Sequence, residues 1–371
     1  MRFIMLISHL NKCLNPHIAS KKTKFYAHEE EQKMGLLVDG NWKDRWYDTK
    51  KSDGKFVRQD SMFRDKLSNQ ENAKFTAESR RYHLYVSLAC PWAHRTLIFR
   101  ALKGLASHID ISVVSPDMLE NGWEFGGYKD ASDDHLFDSQ YMYQVYTKAK
   151  PDITSRVTVP VLWDTKHKTI VNNESADLIR IFNSAFNDLT GDQQDFYPLE
   201  LRIKIDEINE FVYHNINNGV YKAGFATTQQ AYEEAVYKLF SALDVIESLL
   251  VQQRYLVGNQ ITEADWRLFT TLIRFDPVYV GHFKCNLKRI ADYHAISNYV
   301  KELYQIKGIS ETTNFDHIKR HYYFSHTMIN PTQVVPVGPI LDLNSAHDRD
   351  QIKSVADVLR LTDVQSQFEK E

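Results

Sequence analysis

Cysteine is scarce in this chain: Cys13, Cys90 and Cys285 are the only three among 371 residues. An odd and widely spaced set is no disulfide framework, and it fits a reducing compartment better than an oxidising one. Excess charge is lacking too. The net charge is −3, without the basic surplus that marks a nucleic-acid-binding domain. No apolar run approaches the roughly 20 residues that a membrane-spanning helix needs. Repeats, low-complexity tracts, a phosphate-cradling glycine loop and the serine motif of a hydrolase elbow are all missing. His321 and His326 lie five apart, off a single helical face, which is poor metal spacing, and no metal is expected. Acidic residues are absent from the first 28 positions, which carry Arg2, Lys12, Lys21, Lys22 and Lys24. Two readings of that segment stay open: a transit peptide, or a start at Met34, where "MGLLVDGNWKDRWYDT" opens ordinary folded sequence.

What the chain does have is aromatic side chains: 20 Tyr, 20 Phe and 6 Trp. They supply core and can also wall a site for a flat apolar ligand. Residues 34–80 show no sustained period and read as an extended arm. Leu84, Val86 and Leu88 then alternate with Tyr85 and Ser87, the pattern of a strand. From Pro91 the period changes: Leu97, Ile98, Ala101 and Leu102 share a helical face, and Gly104 can end the helix. "IDISVV" (109–114) predicts a second strand, and 115–150 reads as irregular. "TVPVLWD" (158–164) and "KTIVN" (168–172) predict a hairpin, and "ESADLIRIFNSAF" (174–186) a helix. That order matches a thioredoxin-like domain.

Beyond residue 195 the spacing is helical. Ile205, Ile208 and Val212 form one stripe, and Tyr232, Val236, Leu239, Leu243, Ile246 and Leu250 another. Thr262 and Asp265 stand in capping-box spacing at the head of "ITEADWRLFTTL". The chain thus divides into an extension (1–33), an arm (34–80), a thioredoxin-like α/β domain (81–190), an all-α domain (191–345) and a tail (346–371). In the tail, "RDQIKSVADVLRL" reads as a loosely docked helix.

Cys90 falls where the first of these strands gives way to the helix. A thiol at a helix N-terminus feels the helix dipole and free backbone N–H groups, and both are expected to lower its pKa. Ala93 occupies the position where a redox pair would have its second cysteine. Cys90 therefore cannot resolve its own mixed disulfide, and a small thiol such as glutathione is the simplest supplier. Val159–Pro160, ahead of a strand, is a candidate cis peptide that would present the Val159 backbone to a peptide-like ligand. Glu174 and Ser175 open the next helix. They can hold the α-amino and carboxylate ends of such a ligand, or act only as caps. His94 follows the cysteine closely but points away, toward a surface or interface role.

The motifs "SLACPWAHRTL", "ENGWEF", "RVTVPVLWD", "IVNNESADLIR", "NNGVYKAGFAT", "ITEADWRL", "RFDPVYVGHFKCN" and "NFDHIKRHYYFSH" together resemble the glutathionyl-hydroquinone reductases. These are the Xi-class, Omega-like members of the glutathione transferase superfamily. The resemblance spans about residues 34–342. It implies glutathione as co-substrate, with Cys90 attacking the glutathione sulfur of a glutathionyl-hydroquinone. It further implies that Trp123, Arg156, Val159, Glu174 and Ser175 bind glutathione. Tyr221 and Tyr322 would reach the hydroquinone oxygens, with Tyr323 the alternative to Tyr322. A cytoplasmic homodimer is implied, mitochondrial if the first 33 residues are a transit peptide, with no nucleic-acid or membrane partner. Two other functions remain open on the same residues. One is an Omega-like thiol transferase or dehydroascorbate reductase; the other is a non-enzymatic glutathione-binding redox protein.

Overall fold

The computed structural model describes residues 35–44, 49–70, 72–353, 359 and 361–368. The extension and Cys13 lie outside the described residues. The arm is not extended throughout. It opens with a hairpin of β1 (Gly35–Val38) and β2 (Asn41–Asp44), turning through Asp39 and Gly40 at φ of 48° and 73°.

The central sheet is built as the alternation requires. β3 (Tyr82–Val86) is buried along its whole length because it has neighbours on both sides. It leads into α1 (Pro91–Leu102), with Cys90 as N-cap and Pro91 at the first helical position, where a missing N–H costs nothing. Gly104 follows the helix at φ 65° and lets the chain reverse into β4 (Ile109–Val113), parallel to β3.

The stretch 115–150, read as irregular, holds a two-turn helix, α2 (Met142–Ala149). It buries Met142, Val145 and Tyr146 and is too short to build a recognisable period. β5 (Ser155–Arg156) pairs with β1, giving a small sheet of order β2-β1-β5. β6 (Val161–Asp164) and β7 (Thr169–Asn172) are antiparallel and complete a four-stranded sheet of order β4-β3-β6-β7. α3 (Ser175–Ser184) packs beside α1. α4 (Asn187–Thr190) is a single turn closed by Gly191. The β-α-β, loop, β-β-α order predicted for the thioredoxin-like part is the order observed.

The rest is helical: α5 (Arg202–Val212), α6 (Gly219–Gly224), α7 (Gln229–Gln252), α8 (Glu263–Arg274), α9 (His294–Gln305) and α10 (Phe315–Arg320). The predicted capping box forms at α8, with Thr262 and Asp265 satisfying each other's backbone N–H. Among the described residues three single π-helical turns interrupt the regular spacing: Tyr213–Asn217 after α5, Phe275–Tyr279 after α8 and His321–Ser325 after α10. A π turn adds one residue and rotates the side chains beyond it, and such turns occur often at functional sites. In the tail, the segment 349–361 predicted as a helix opens with a 3-10 turn (Arg349–Gln351) and its last residue begins α11 (Leu361–Phe368), while residues 354–358 and 360 lie outside the described residues. Arg349 is buried and donates to the carbonyls of Leu250, Gln253 and Arg254 at the end of α7. Among the described residues no helix is long and apolar enough to cross a membrane.

After β2 the arm runs along both halves of the molecule. The Thr227 N–H donates to the carbonyl of Gly54, and Arg58 donates to Asn218, both in the helical half. Phe63 then exchanges hydrogen bonds with Asn173, and the Asp65 N–H reaches the Val171 carbonyl, at the α/β half. The stretch between these anchors forms one wall of a cavity.

Candidate functional site

That cavity lies at the carboxyl end of β3, where the two halves meet. It encloses about 1310 Å³, counting the part open to solvent. All eight residues singled out in the sequence line it: Cys90, Trp123, Arg156, Val159, Glu174, Ser175, Tyr221 and Tyr322.

Cys90 keeps partial exposure at the cavity wall, and its Sγ lies 3.6 Å from the Val159 carbonyl, to which the thiol donates. The Val159–Pro160 peptide is cis, as the sequence led us to expect. Arg274, fully buried on α8, fixes the turn before the cysteine. Its Nε donates to the Ala89 carbonyl at 2.8 Å and a terminal nitrogen to Leu88 at 3.2 Å.

One electrostatic expectation is corrected. The helix mouth was expected to lower the Cys90 pKa, but burial pushes the thiol upward. The backbone N–H groups of Ala93 and Trp92 and the charges of Arg274 and Arg58 pull the other way without overcoming it. The predicted lowering groups are all present; the desolvation opposing them is a tertiary effect.

Ala93 itself is fully buried, so the place of a resolving cysteine faces the core and not the cavity. Cys285 is also buried, and burial pushes its thiol up. His94 is at an internal interface and not at the surface. It is fully buried and takes a hydrogen bond on Nδ1 from Arg274, so its Nε2–H donates to Thr312. With both nitrogens engaged it is no base for the thiol.

At one rim of the cavity Glu174 caps α3, accepting from the Ala176 N–H at 3.1 Å, and Ser61 of the arm donates to its other oxygen at 3.0 Å. Ser175 begins the helix and takes a contact of 3.4 Å from the buried Arg95. Trp123 stacks on His321 with centroids 4.7 Å apart, and the ring of His321 is fixed through Nδ1 to the Pro116 carbonyl at 2.9 Å.

The other end is aromatic. The Tyr221 hydroxyl meets that of Tyr322 at 2.6 Å, and Tyr279 reaches the same Tyr322 oxygen at 3.1 Å. Burial holds all three phenols well protonated. Of the two neighbouring tyrosines, Tyr322 lines the cavity, while Tyr323 packs beside His282 and the backbone of Gly281. Trp92 completes this end, 6.4 Å from Tyr221 in a near-parallel stack. Gly224 is required nearby, since a Cβ there would stand 2.1 Å from the Phe283 ring that flanks Tyr221.

Sequence reasoning passed over Arg58, Trp92, Arg274 and Tyr279, and weighed His321 only as a metal ligand. Arg274 and Tyr279 sit inside a motif that carried the family resemblance, which is the signal that could have found them. Arg58 sits in an aperiodic arm and had none. Among the described residues no group of three or more His, Cys, Asp or Glu is arranged to hold a metal ion.

Family comparison agrees with this architecture. The profile described as "Glutathione S-transferase, N-terminal domain" matches residues 89–185, and that described as "Glutathione S-transferase, C-terminal domain" matches 229–302. The chain is 55% identical over 324 residues to glutathionyl-hydroquinone reductase YqjG of Escherichia coli, covering 85% of this chain and 99% of that one. It is 55% identical over 306 residues to glutathionyl-hydroquinone reductase PcpF of Sphingobium chlorophenolicum, covering 82% and 96%. The glutathione-bound structure of the Escherichia coli protein superposes with a TM-score of 0.78 at 52% identity, over 85% of this chain and 99% of that one.

Proposed function

The chain belongs to the glutathionyl-hydroquinone reductases of the glutathione S-transferase family, and from that premise we propose that it converts glutathionyl-hydroquinones and glutathione into free hydroquinones and oxidised glutathione through Cys90. The observation that carries the reading is one cavity holding a lone thiol beside the Val159 carbonyl and, at its aromatic end, two phenol hydroxyls 2.6 Å apart.

The glutathionyl part lies along the α/β wall. Its backbone pairs with Val159 and its γ-glutamyl end meets Glu174, Ser175 and the N-terminus of α3, whose N–H groups favour a carboxylate. Trp123 packs on it and Arg156 takes a carboxylate or carbonyl. The hydroquinone ring lies among the aromatic side chains, its oxygens within reach of Tyr221 and Tyr322. A phenol can donate to an oxygen that gains charge and accept from one that is protonated.

Reaction begins when the ring tautomerises, a proton moving from oxygen to the carbon that bears sulfur. The Cys90 thiolate attacks the glutathione sulfur. A sulfur–sulfur bond forms, the carbon–sulfur bond breaks, and its electron pair returns to the ring, which becomes aromatic as its oxygen takes a proton. A second glutathione thiolate then attacks the mixed disulfide, leaves as oxidised glutathione and restores Cys90. The ring carbon gains two electrons and the two glutathione sulfurs lose them. Among the described residues no second cysteine lines the cavity, Ala93 being in the core and Cys285 buried, and glutathione supplies the second thiol. The homodimer and cytoplasmic placement implied by the resemblance belong to the same reading.

The test compares glutathionyl-menadiol with a simple glutathione mixed disulfide. Fast thioether cleavage by the wild type, its loss in Cys90→Ala, and a mass gain of one glutathione on Cys90 without free glutathione are the expected results. Turnover of the disulfide alone would favour a thiol transferase, and thioether cleavage surviving in Cys90→Ala would refute the mechanism.

A further inference from the structure

The aromatic end of the cavity contains one charge, on Arg58, that favours the Cys90 thiolate but has no contact with substrate in the reaction above. Arg58 comes from the arm and lies with its guanidinium carbon 4.7 Å from the Trp92 ring centroid, 5.2 Å from Tyr221 and 5.6 Å from Phe56. Its Nε donates to Asn218 at 3.0 Å, which sets the orientation of the plane. Among the described residues no carboxylate forms an ion pair with it. The other charges lining the cavity belong elsewhere: Glu174 accepts from Ser61, Asp60 acts on Arg64, and Arg156 lies on β5. The imidazoles of His321 and His326, which also line the cavity, are held neutral by burial.

A structural cation stacked between aromatic side chains stabilises the fold by cation–π attraction alone, and that role needs no ligand. The guanidinium is nonetheless only partly buried, opens onto the cavity, and has its two terminal nitrogens uncommitted. Those nitrogens form the planar fork that matches a carboxylate. A flat ring placed against Trp92, with its oxygens toward Tyr221 and Tyr322, would direct a substituent at the arm.

Resting on the function proposed above, we propose that Arg58 is a specificity-determining residue that selects hydroquinone rings carrying an acidic substituent, above all a carboxylate. The arm thereby supplies the acceptor pocket with its recognition charge, while the α/β wall handles glutathione.

The test measures binding and does not require turnover. The full chain, saturated with glutathione, is titrated with 2,5-dihydroxybenzoate and with its methyl ester, and binding is followed by calorimetry. The wild type should bind the acid about 10- to 100-fold more tightly than the ester, the range of a charge-assisted hydrogen-bonded pair. Arg58→Gln should erase that ratio, Arg58→Lys should keep part of it, and added salt should reduce it. Equal binding of acid and ester by the wild type, no binding of either, or an Arg58→Gln loss equal for both ligands would overturn the proposal. Glutathionyl-menadiol, which has no ring acid, tests the parent function separately, so failure of one is distinguishable from failure of the other.

Discussion

Replacing Arg274 by Met removes the side chain that fixes the backbone leading into the reactive cysteine. Arg274 is fully buried and donates to four acceptors: Ala89 carbonyl at 2.8 Å, Leu88 carbonyl at 3.2 Å, Thr270 carbonyl at 2.8 Å and His94 Nδ1 at 2.9 Å. Methionine fills much of the volume and reaches none of these acceptors. The Thr270 carbonyl belongs to a helix, and the Leu88 bond is only part-buried, so two acceptors are left stranded: Ala89 O and His94 Nδ1. A buried polar atom without a partner costs about 1 to 3 kcal/mol. Relief from burying a cation offsets some of the total, and a net loss of about 3 kcal/mol is expected. The same change removes a positive charge that favours the Cys90 thiolate. The thiol should therefore ionise at still higher pH, and iodoacetamide alkylation at pH 7 should slow roughly tenfold for every pH unit by which its titration moves up. Urea unfolding gives the first quantity and the pH dependence of alkylation the second. A stability loss under about 1 kcal/mol together with an unchanged alkylation profile would show that Arg274 neither clamps this turn nor tunes its sulfur.

Other outcomes rest on the cavity and the core. Tyr322→Phe removes a hydroxyl within 2.6 Å of Tyr221 and 3.1 Å of Tyr279. It should slow thioether cleavage by about 100-fold yet leave turnover of a glutathione mixed disulfide within a fewfold; equal losses on both substrates would remove the tyrosine from proton transfer. Among the described residues five buried histidines have pKa values pulled down by desolvation: His83 and His321 to about 4, His282 to about 3, and His94 and His326 well below the ordinary imidazole value. The unfolded chain binds protons at these sites below about 6.5, where the native fold does not, so their contribution is complete above that pH and fades as pH falls toward 4. Between pH 7 and 5 each should cost up to about 2 kcal/mol, and a denaturant midpoint that stays flat over that range would contradict their burial as neutral rings.

How far the residues alone reach depends on the range of the interactions. The β3-α1-β4 and β6-β7-α3 segments were legible because alternation and helical spacing are local. The Thr262–Asp265 capping box was legible for the same reason. Helix α2 was not, since eight residues with three turned inward fall below a readable period. The π turns were not, because one inserted residue leaves the flanking spacing helical while rotating Tyr279 and Tyr322 into contact. The identity of the site residues came from local motifs plus a family resemblance, and the structure brings all eight to one cavity. Arg58 and the upward push on the Cys90 thiol were out of reach, because each depends on segments distant in sequence.

The wall that shelters the sulfur is made early and secured late. Arg58 and its anchor Asn218 are 160 positions apart, and Phe63 and Asn173 are 110 apart. At a ribosomal pace of roughly 5 to 20 residues per second, the first of these clasps cannot close until on the order of 10 to 30 seconds after the arm emerges. Through that interval Tyr221 and Phe225, which Phe56 meets in the finished fold, have not yet been made. The growing polypeptide is thus most prone to sticking before its second half exists, and a fragment ending ahead of residue 218 carries an unwalled thiol.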